Sequence, residues 1–322
     1  MTPSSPRTPN TPSVPNALST PSTPINPSPP KTQRQQTKEQ MLRKSFLLLL
    51  LLYACATAQV IHAISPILPQ EQAAWAASNT PESLEYNIYF HMGLINAKAG
   101  YGKLSFTKET NKHGQTVYHG RLAGKSLSIV EHIMKVRDTL DCYFNEDMVP
   151  TRFRKGTHEG SYNAVANYYY HTHWHNKSAA KRLNNVDSTS VELKRWRKKG
   201  KDAAVNRAVD FTNEGVAYDM LSVFYSVRHL DYDNMKKGKR IKFVCYDGIT
   251  QQTINVDYCG VEKCELRNGK VHKAFLIDLN FATKGQDDTP LKVWLSTTPD
   301  HRPLKAIIGL KRIGSIRCEI QE

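Results

Sequence analysis

The chain has 322 residues, 44 of them basic and 29 acidic, for a net charge of +15. Residues 1–30 hold ten of the seventeen prolines and eleven Ser or Thr, which excludes a packed core there. The 264 residues from Gln59 onward have ordinary globular usage, enough for one large all-β domain or two small ones.

In chain order, residues 1–40 read as a disordered Pro/Ser/Thr-rich segment, and residues 41–58 as a secretory signal peptide. The signal has a basic Met41-Leu42-Arg43-Lys44, a thirteen-residue apolar run from Phe46 to Ala58, and a small-x-small exit at Ala56-Thr57-Ala58. A membrane span needs about 20 apolar residues, so the run is short for one. Forty residues before Met41 are unusual for a signal peptide. Either Met41 is the true start, or the upstream part is a cytoplasmic tail on an uncleaved signal anchor. Leu52-Tyr53-Ala54-Cys55 loosely resembles a bacterial lipobox, with Tyr53 a poor fit, so Cys55 is either a lipidation site or a small residue in the signal core. One acyl chain would tether the domain without spanning. The leader predicts export to the periplasm or cell envelope, where nucleic acid is not an expected partner.

Residues 59–83 read as a linker and 84–322 as a single β-rich domain. Leu84, Tyr86, Ile88 and Phe90 alternate with Glu85, Asn87, Tyr89 and His91, the period of a half-buried strand. Similar runs follow to Ser315–Ile320, separated by Lys112-His113-Gly114, Arg267-Asn268-Gly269 and Lys284-Gly285-Gln286. Asn268-Gly269 fits a two-residue hairpin turn. Ser178–Val186 reads as an exposed loop or small insertion. Two segments break the pattern. Asp219–Leu230 reads as a helix capped by Asp219, with Leu221, Phe224, Tyr225 and Arg228 on one face. Ser126–Lys135 reads as a shorter helix with Ile129, Val130, Ile133 and Met134 as its stripe. The predicted fold is all-β dominated: a strongly curved antiparallel meander, a roll or open barrel, with one or two short helices packed on it.

Several phrases in this order resemble a known family: Leu84-Glu85-Tyr86-Asn87-Ile88 followed by Gly93-Leu94-Ile95; Asp138 to Pro150; His158-Glu159-Gly160-Ser161-Tyr162; Asp219-Met220-Leu221-Ser222 with Tyr225 and Arg228; Tyr258-Cys259-Gly260-Val261-Glu262; Lys292-Val293-Trp294-Leu295-Ser296; and Ile313-Gly314-Ser315-Ile316. The chain is similar to the bacterial domain of unknown function 3108 family over roughly Leu84 to Ile320, in an exported, Bacteroidota-like form. The resemblance implies an exported, mostly β domain with no established activity, its sheet somewhat like those of periplasmic lipoprotein carriers, which cradle lipid on a concave face. The long upstream tail and the basic run at 194–201 depart from the family.

His171, His173 and His175 share one strand face, and imidazoles in a row suggest zinc or copper. Ligands on one strand rarely converge, so a wet polar face is expected instead. Arg228 on an apolar stripe needs a carboxylate, with Glu262 and Glu159 as candidates. It either docks the helix on the sheet or, with Tyr225, forms a polar cavity floor that grips an anionic headgroup. Arg195, Trp196, Arg197, Lys198 and Lys199 read as a solvated strand end that would meet phosphates at a membrane surface. Ser222, His229 and Asp219 lack a nucleophile elbow, and Ser222 and His229 lie two helical turns apart, which argues against a hydrolase. Cys142, Cys245, Cys259, Cys264 and Cys318 show no CxxC and no zinc spacing, and read mostly as free buried thiols, though Cys259 and Cys264 could close a small loop. No cofactor motif and no catalytic constellation emerge. The expectation is a non-catalytic envelope protein that binds a lipid-like or amphiphilic ligand in its curved sheet. The alternative is a structural or assembly factor that contacts an anionic membrane or a partner protein through a basic surface.

Overall fold

The computed structural model describes residues 69–132, 134–175, 186–247, 250–281, 291–310 and 314–322, with the side chains of 69–73, 247 and 250 left aside. The tail 1–40, the leader 41–58 with Cys55, residues 59–68 of the linker, most of Ser178–Val186 and the Lys284–Gln286 turn lie outside the described residues.

Fourteen strands form one antiparallel sheet. They are β1 (Glu82–Met92), β2 (Ile95–Thr110), β3 (Thr116–Ser126), β4 (Arg137–Phe144), β5 (Pro150–Glu159), β6 (Tyr162–Trp174), β7 (Val186–Lys199), β8 (Val205–Glu214), β9 (Arg240–Asp247), β10 (Thr250–Glu265), β11 (Val271–Phe281), β12 (Leu291–Ser296), β13 (Pro303–Leu310) and β14 (Gly314–Ile320). Among the described residues three short helices accompany them: α1 (Pro69–Ser78), α2 (Ser128–Glu131) and α3 (Met220–Val227). This is the predicted curved meander, with three helices instead of one or two. Each strand pairs with the next from β1 to β8 and from β9 to β14, and β14 pairs with β1. The sheet is therefore open only between its edge strands β8 and β9. There the chain after β8 runs beside β9: Tyr218 N–H donates to Val244 O at 3.0 Å, and Tyr246 N–H to Tyr218 O at 3.1 Å.

The meander gives the sheet two distinct ends. The β1–β2, β3–β4, β5–β6, β7–β8, β9–β10, β11–β12 and β13–β14 connections lie at one, here the upper end. The start of β1, the end of β14 and the remaining connections lie at the lower end. Bulges help the sheet curl, because an extra residue bends its strand and increases the local twist. The two longest strands, each 16 residues, both carry one. In β2, Ala99 is extra, since Ile88 faces Gly100 and Tyr89 faces Lys98. In β10, Cys259 is extra, next to Gly260 at φ 98°.

Three lower hairpins share one loop geometry. Asn111–Gln115, Asn145–Val149 and Leu266–Lys270 each close with the first N–H donating to the last carbonyl, and with a positive-φ residue in the fourth position: Gly114, Met148 and Gly269. The Asn268-Gly269 turn thus belongs to a three-residue loop, not the expected two-residue one, because only Gly269 takes positive φ. The Asn111 and Asn145 carboxamides accept backbone N–H bonds inside their loops, as Asx turns do.

Helix α3 differs from its predicted form. Asp219 caps it as expected, accepting from Leu221 and Ser222 N–H at 2.9 and 2.8 Å, and Ser222 Oγ completes the box by accepting from Asp219 N–H. The helix is not one-faced, however. Leu221 and Tyr225 belong to a core with Phe106, Phe144, Phe153 and Tyr168, while Val223 and Val227 belong to a second core with Phe243, Ile254, Phe275 and Val293. A helix that is apolar all round is a buried one, and α3 sits inside the curl, against both halves of the sheet. The Ser126–Lys135 helix shrinks to the single turn α2. Ile129 is 73% exposed, Met134 is buried, and a bridge from Val136 to Glu159 draws the chain back into the sheet.

The fit of α3 inside the sheet is close. A Cβ on Gly120 would stand 2.3 Å from the Tyr225 ring and 2.8 Å from Cys142 Sγ. Gly120→Ala is expected to destabilise the fold by about 1–3 kcal/mol through overpacking, measured by urea unfolding against Gly102→Ala, whose nearest neighbour lies at 3.6 Å.

Candidate functional site: an apolar cavity and its polar seal

Beside α3 the curled sheet lines a partly open cavity of about 190 Å³. Its wall is formed by Leu104 and Leu122 from one half of the sheet, Leu279, Val293 and Ile308 from the other, and Met220 and Phe224 of α3. Strand alternation produces this lining, since every second residue of β1–β4 and β10–β14 faces inward. The lining is almost wholly hydrocarbon. The polar group closest to it, the Tyr86 hydroxyl, is already committed to Pro303 O at 2.8 Å, and burial raises that phenol far above its usual pKa. The cavity can hold an apolar body and offers no anchored charge to a reacting one.

The lower end of α3 is sealed by an ion pair. Arg228 has no exposed surface. Its guanidinium donates to both Glu82 oxygens, at 2.8 and 2.6 Å, to Asp300 O at 2.9 Å and to His301 O at 3.2 Å. The partner is Glu82, not Glu262 or Glu159. Burial works against the charge, and the Glu82 carboxylate more than offsets it, so Arg228 is held cationic. Trp75 of α1 lies over the guanidinium at 4.9 Å and edge-on to His229, with ring centroids 4.0 Å apart. His229 is buried with neither ring nitrogen bonded; burial first, and Arg228 next, push its pKa down to about 3. Trp75, within the predicted linker, thus forms part of the seal. Glu82, Trp75, Asp300 and His301 escaped the sequence reading because 146 residues separate Arg228 from Glu82, and no local periodicity reports a pairing at that range.

The other predicted residues disperse. Tyr225 is near Arg228, its hydroxyl donating to Ser105 O at 2.9 Å. Glu262 is exposed and accepts from Trp294 Nε1 at 2.5 Å. His171 and His173 are exposed on β6, where His173 Nε2 bonds Ser190 Oγ at 3.1 Å, and His175 is exposed just past its end. Among the described residues no three potential ligands converge on a metal position. Trp196, Arg197, Lys198 and Lys199 are exposed at the upper end of β7, and the half-buried Arg195 reaches Tyr162 Oη at 3.3 Å. The serine and aspartate of the discarded hydrolase reading form the α3 cap, and the five described cysteines are free thiols. Among the described residues no helix is long and apolar enough to cross a membrane.

Glu159 sits at the upper end beside Asp138, both buried. Asp138 Oδ1 accepts from His158 N–H at 2.7 Å, but Asp138 Oδ2 and both Glu159 oxygens meet no N–H or O–H donor. A proton held between the two carboxyls would join two of these three oxygens. Burial, then the neighbouring Asp138 charge, pushes Glu159 up to about 8.

These features define a barrel-like antiparallel meander with a filled lower end and an apolar interior. The chain belongs to the family described as Protein of unknown function (DUF3108), whose sequence profile matches residues 85–321. A search of curated proteins returns no match. Among solved structures, a "Beta-barrel-like Protein of Domain of Unknown Function DUF1849 from Brucella abortus" is similar, with a TM-score of 0.47 and 8% identity over 75% of this chain and 96% of that one. No catalytic family is indicated.

Removing one partner of the seal leaves a buried charge unpaired. Glu82→Ala is expected to cost about 3–5 kcal/mol, with a smaller loss in the double variant Glu82→Leu/Arg228→Met, both read from denaturant midpoints. The acid pair sets a pH dependence. Glu159 titrates near 4.5 in the free chain and near 8 when folded, so folding takes up its proton. Its contribution is fully present below pH 4.5 and is lost as the pH rises toward 8. Asp219, pushed by burial to about 7, adds a slope of the same sign. Glu159→Gln is therefore expected to flatten, without abolishing, the fall in Tm between pH 5 and pH 8.

Proposed function

We propose that the protein is a non-catalytic component of the cell envelope that holds an apolar or amphiphilic ligand inside its curled sheet. The observation that carries this reading is the cavity of about 190 Å³ with its hydrocarbon wall. Both cores around α3 are otherwise closely packed, so the space marks a local departure from dense filling. Such cavities take hydrocarbon in preference to water, because water needs polar partners that the wall does not provide. The leader at 41–58 supports the envelope placement.

A second reading, a structural or assembly factor that meets an anionic membrane or a partner protein, is favoured by the upper part of the β7–β8 hairpin. Residues 196–208 are exposed on both strand faces and include Arg197, Lys198 and Lys199.

Binding of an apolar fluorescent probe such as cis-parinaric acid tests the first reading. The intact chain is expected to enhance its emission saturably. Ala306→Phe and Ala123→Met, which extend side chains into the cavity, are expected to weaken binding about tenfold or more, the equivalent of at least 1.4 kcal/mol of lost contact, while circular dichroism stays unchanged. Equal binding by the wild type and both variants would remove the cavity as the site.

A further inference from the structure

The upper end of the sheet carries a feature that neither the cavity nor the seal explains. Residues 91–97, the tip of the β1–β2 hairpin, are exposed on both faces of the ribbon. At the apex Gly93 takes φ 56° and begins a two-residue turn, a geometry that leaves the next side chain, Leu94, pointing away from the body; Leu94 is fully exposed. Met92 is 38% and Ile95 51% exposed beside it. Eight large apolar side chains are exposed among the described residues, and six of them (Met92, Leu94, Ile95, Ile129, Trp196 and Val205) lie at this end. Scattered exposed apolar residues need no explanation, but their gathering at one end of a molecule marks an interaction surface.

The charge at the same end identifies the partner. Lys125 and Lys135 flank α2, and Arg197, Lys198, Lys199 and Lys201 lie around the β7–β8 turn, all exposed. Among the described residues there, the acidic side chains set against them are the exposed Asp202 and the half-buried Glu131, which is already paired with Arg137. Apolar tips surrounded by cations match an anionic lipid surface, where acyl chains take the wedge and headgroup phosphates take the lysines. An apolar protein partner would not call for the cations, and a second copy would oppose like charges. The Arg228–Glu82 seal and α1 occupy the opposite end, so this end is the one the cavity's upper wall, at Leu122, Phe281, Leu291 and Ile308, runs toward.

We infer that the upper end docks on an anionic membrane, with Leu94 and its hairpin neighbours entering the acyl layer and the basic residues of the same end meeting the phosphates. The inference rests on the envelope placement proposed above, and it adds that any apolar cargo is exchanged with that membrane.

The test uses the intact chain carrying Leu94→Trp, with vesicles of phosphatidylcholine containing phosphatidylglycerol. Brominated acyl chains are expected to quench the emission that Leu94→Trp adds to that of the four native tryptophans, measured against the unsubstituted chain, a local readout that the leader cannot mimic. In the otherwise unaltered chain, Leu94→Asp is expected to lower vesicle partition about tenfold, the equivalent of burying one leucine. Lys198→Gln and Lys199→Gln are expected to lower it about fivefold each, with the effect vanishing at high salt. Absence of bromine quenching at position 94, whether or not the protein sediments with vesicles, would overturn the proposal. So would self-association in buffer that Leu94→Asp abolishes, which would make a second copy the occupant. Leu94 lies outside the cavity, so vesicle-free probe binding should survive Leu94→Asp. In the unsubstituted chain, probe binding without vesicle docking sinks this inference alone, and docking without probe binding sinks the cavity reading alone.

Discussion

The burial of α3 inside the curled sheet is the constraint on which the rest depends. A long antiparallel sheet has an apolar face and two edges, and neither is stable in water. Here β14 pairs with β1 and the curl wraps a helix of which six of eight residues are buried, so the helix fills the space between the two halves of the sheet. The Asp219 cap satisfies the first-turn amides that burial would otherwise leave unpaired. At the other end of the helix, Arg228 ties it to β1 through Glu82 and to the β12–β13 connection through Asp300 and His301. Where the helix and sheet do not quite meet, the cavity remains.

The two ends of the sheet are chemically unlike. The lower end is tied by polar contacts: Arg228 with four acceptor atoms, Tyr86 with a carbonyl, and Asx turns in two of its hairpins. The upper end carries two ribbons that reach beyond the packed body, and a buried carboxyl pair whose proton is its principal satisfaction. This division matches a molecule that is built from one end and works at the other.

Much of the architecture was legible in the order of residues. Period-two alternation located most strands, because a strand with one face inward must alternate. The Asp219 cap was legible because capping is local. What failed was non-local. The one-faced stripe on α3 was misread because amphipathic periodicity assumes a helix on a surface, whereas this one has sheet on both sides. The Ile129–Met134 stripe was misread because a bridge to Glu159, distant in the chain, ends the helix after one turn. The Glu82 partner of Arg228 was invisible for the same reason: what pairs them is the closure of the sheet, not the spacing along it.

That closure ties the first strand to the last. Tyr86 faces Ile320 and His91 faces Ser315, contacts that span more than 220 residues. Closing so long a loop is entropically costly, and topologies rich in such pairings fold slowly. Until the last strand is made, β1 and β13 both present bare hydrogen-bonding edges, and the nascent protein is open to association with other chains. A molecule of this design therefore needs protection from its neighbours throughout its own synthesis, and a lesion that removes only Gly314–Ile320 would leave that need permanent.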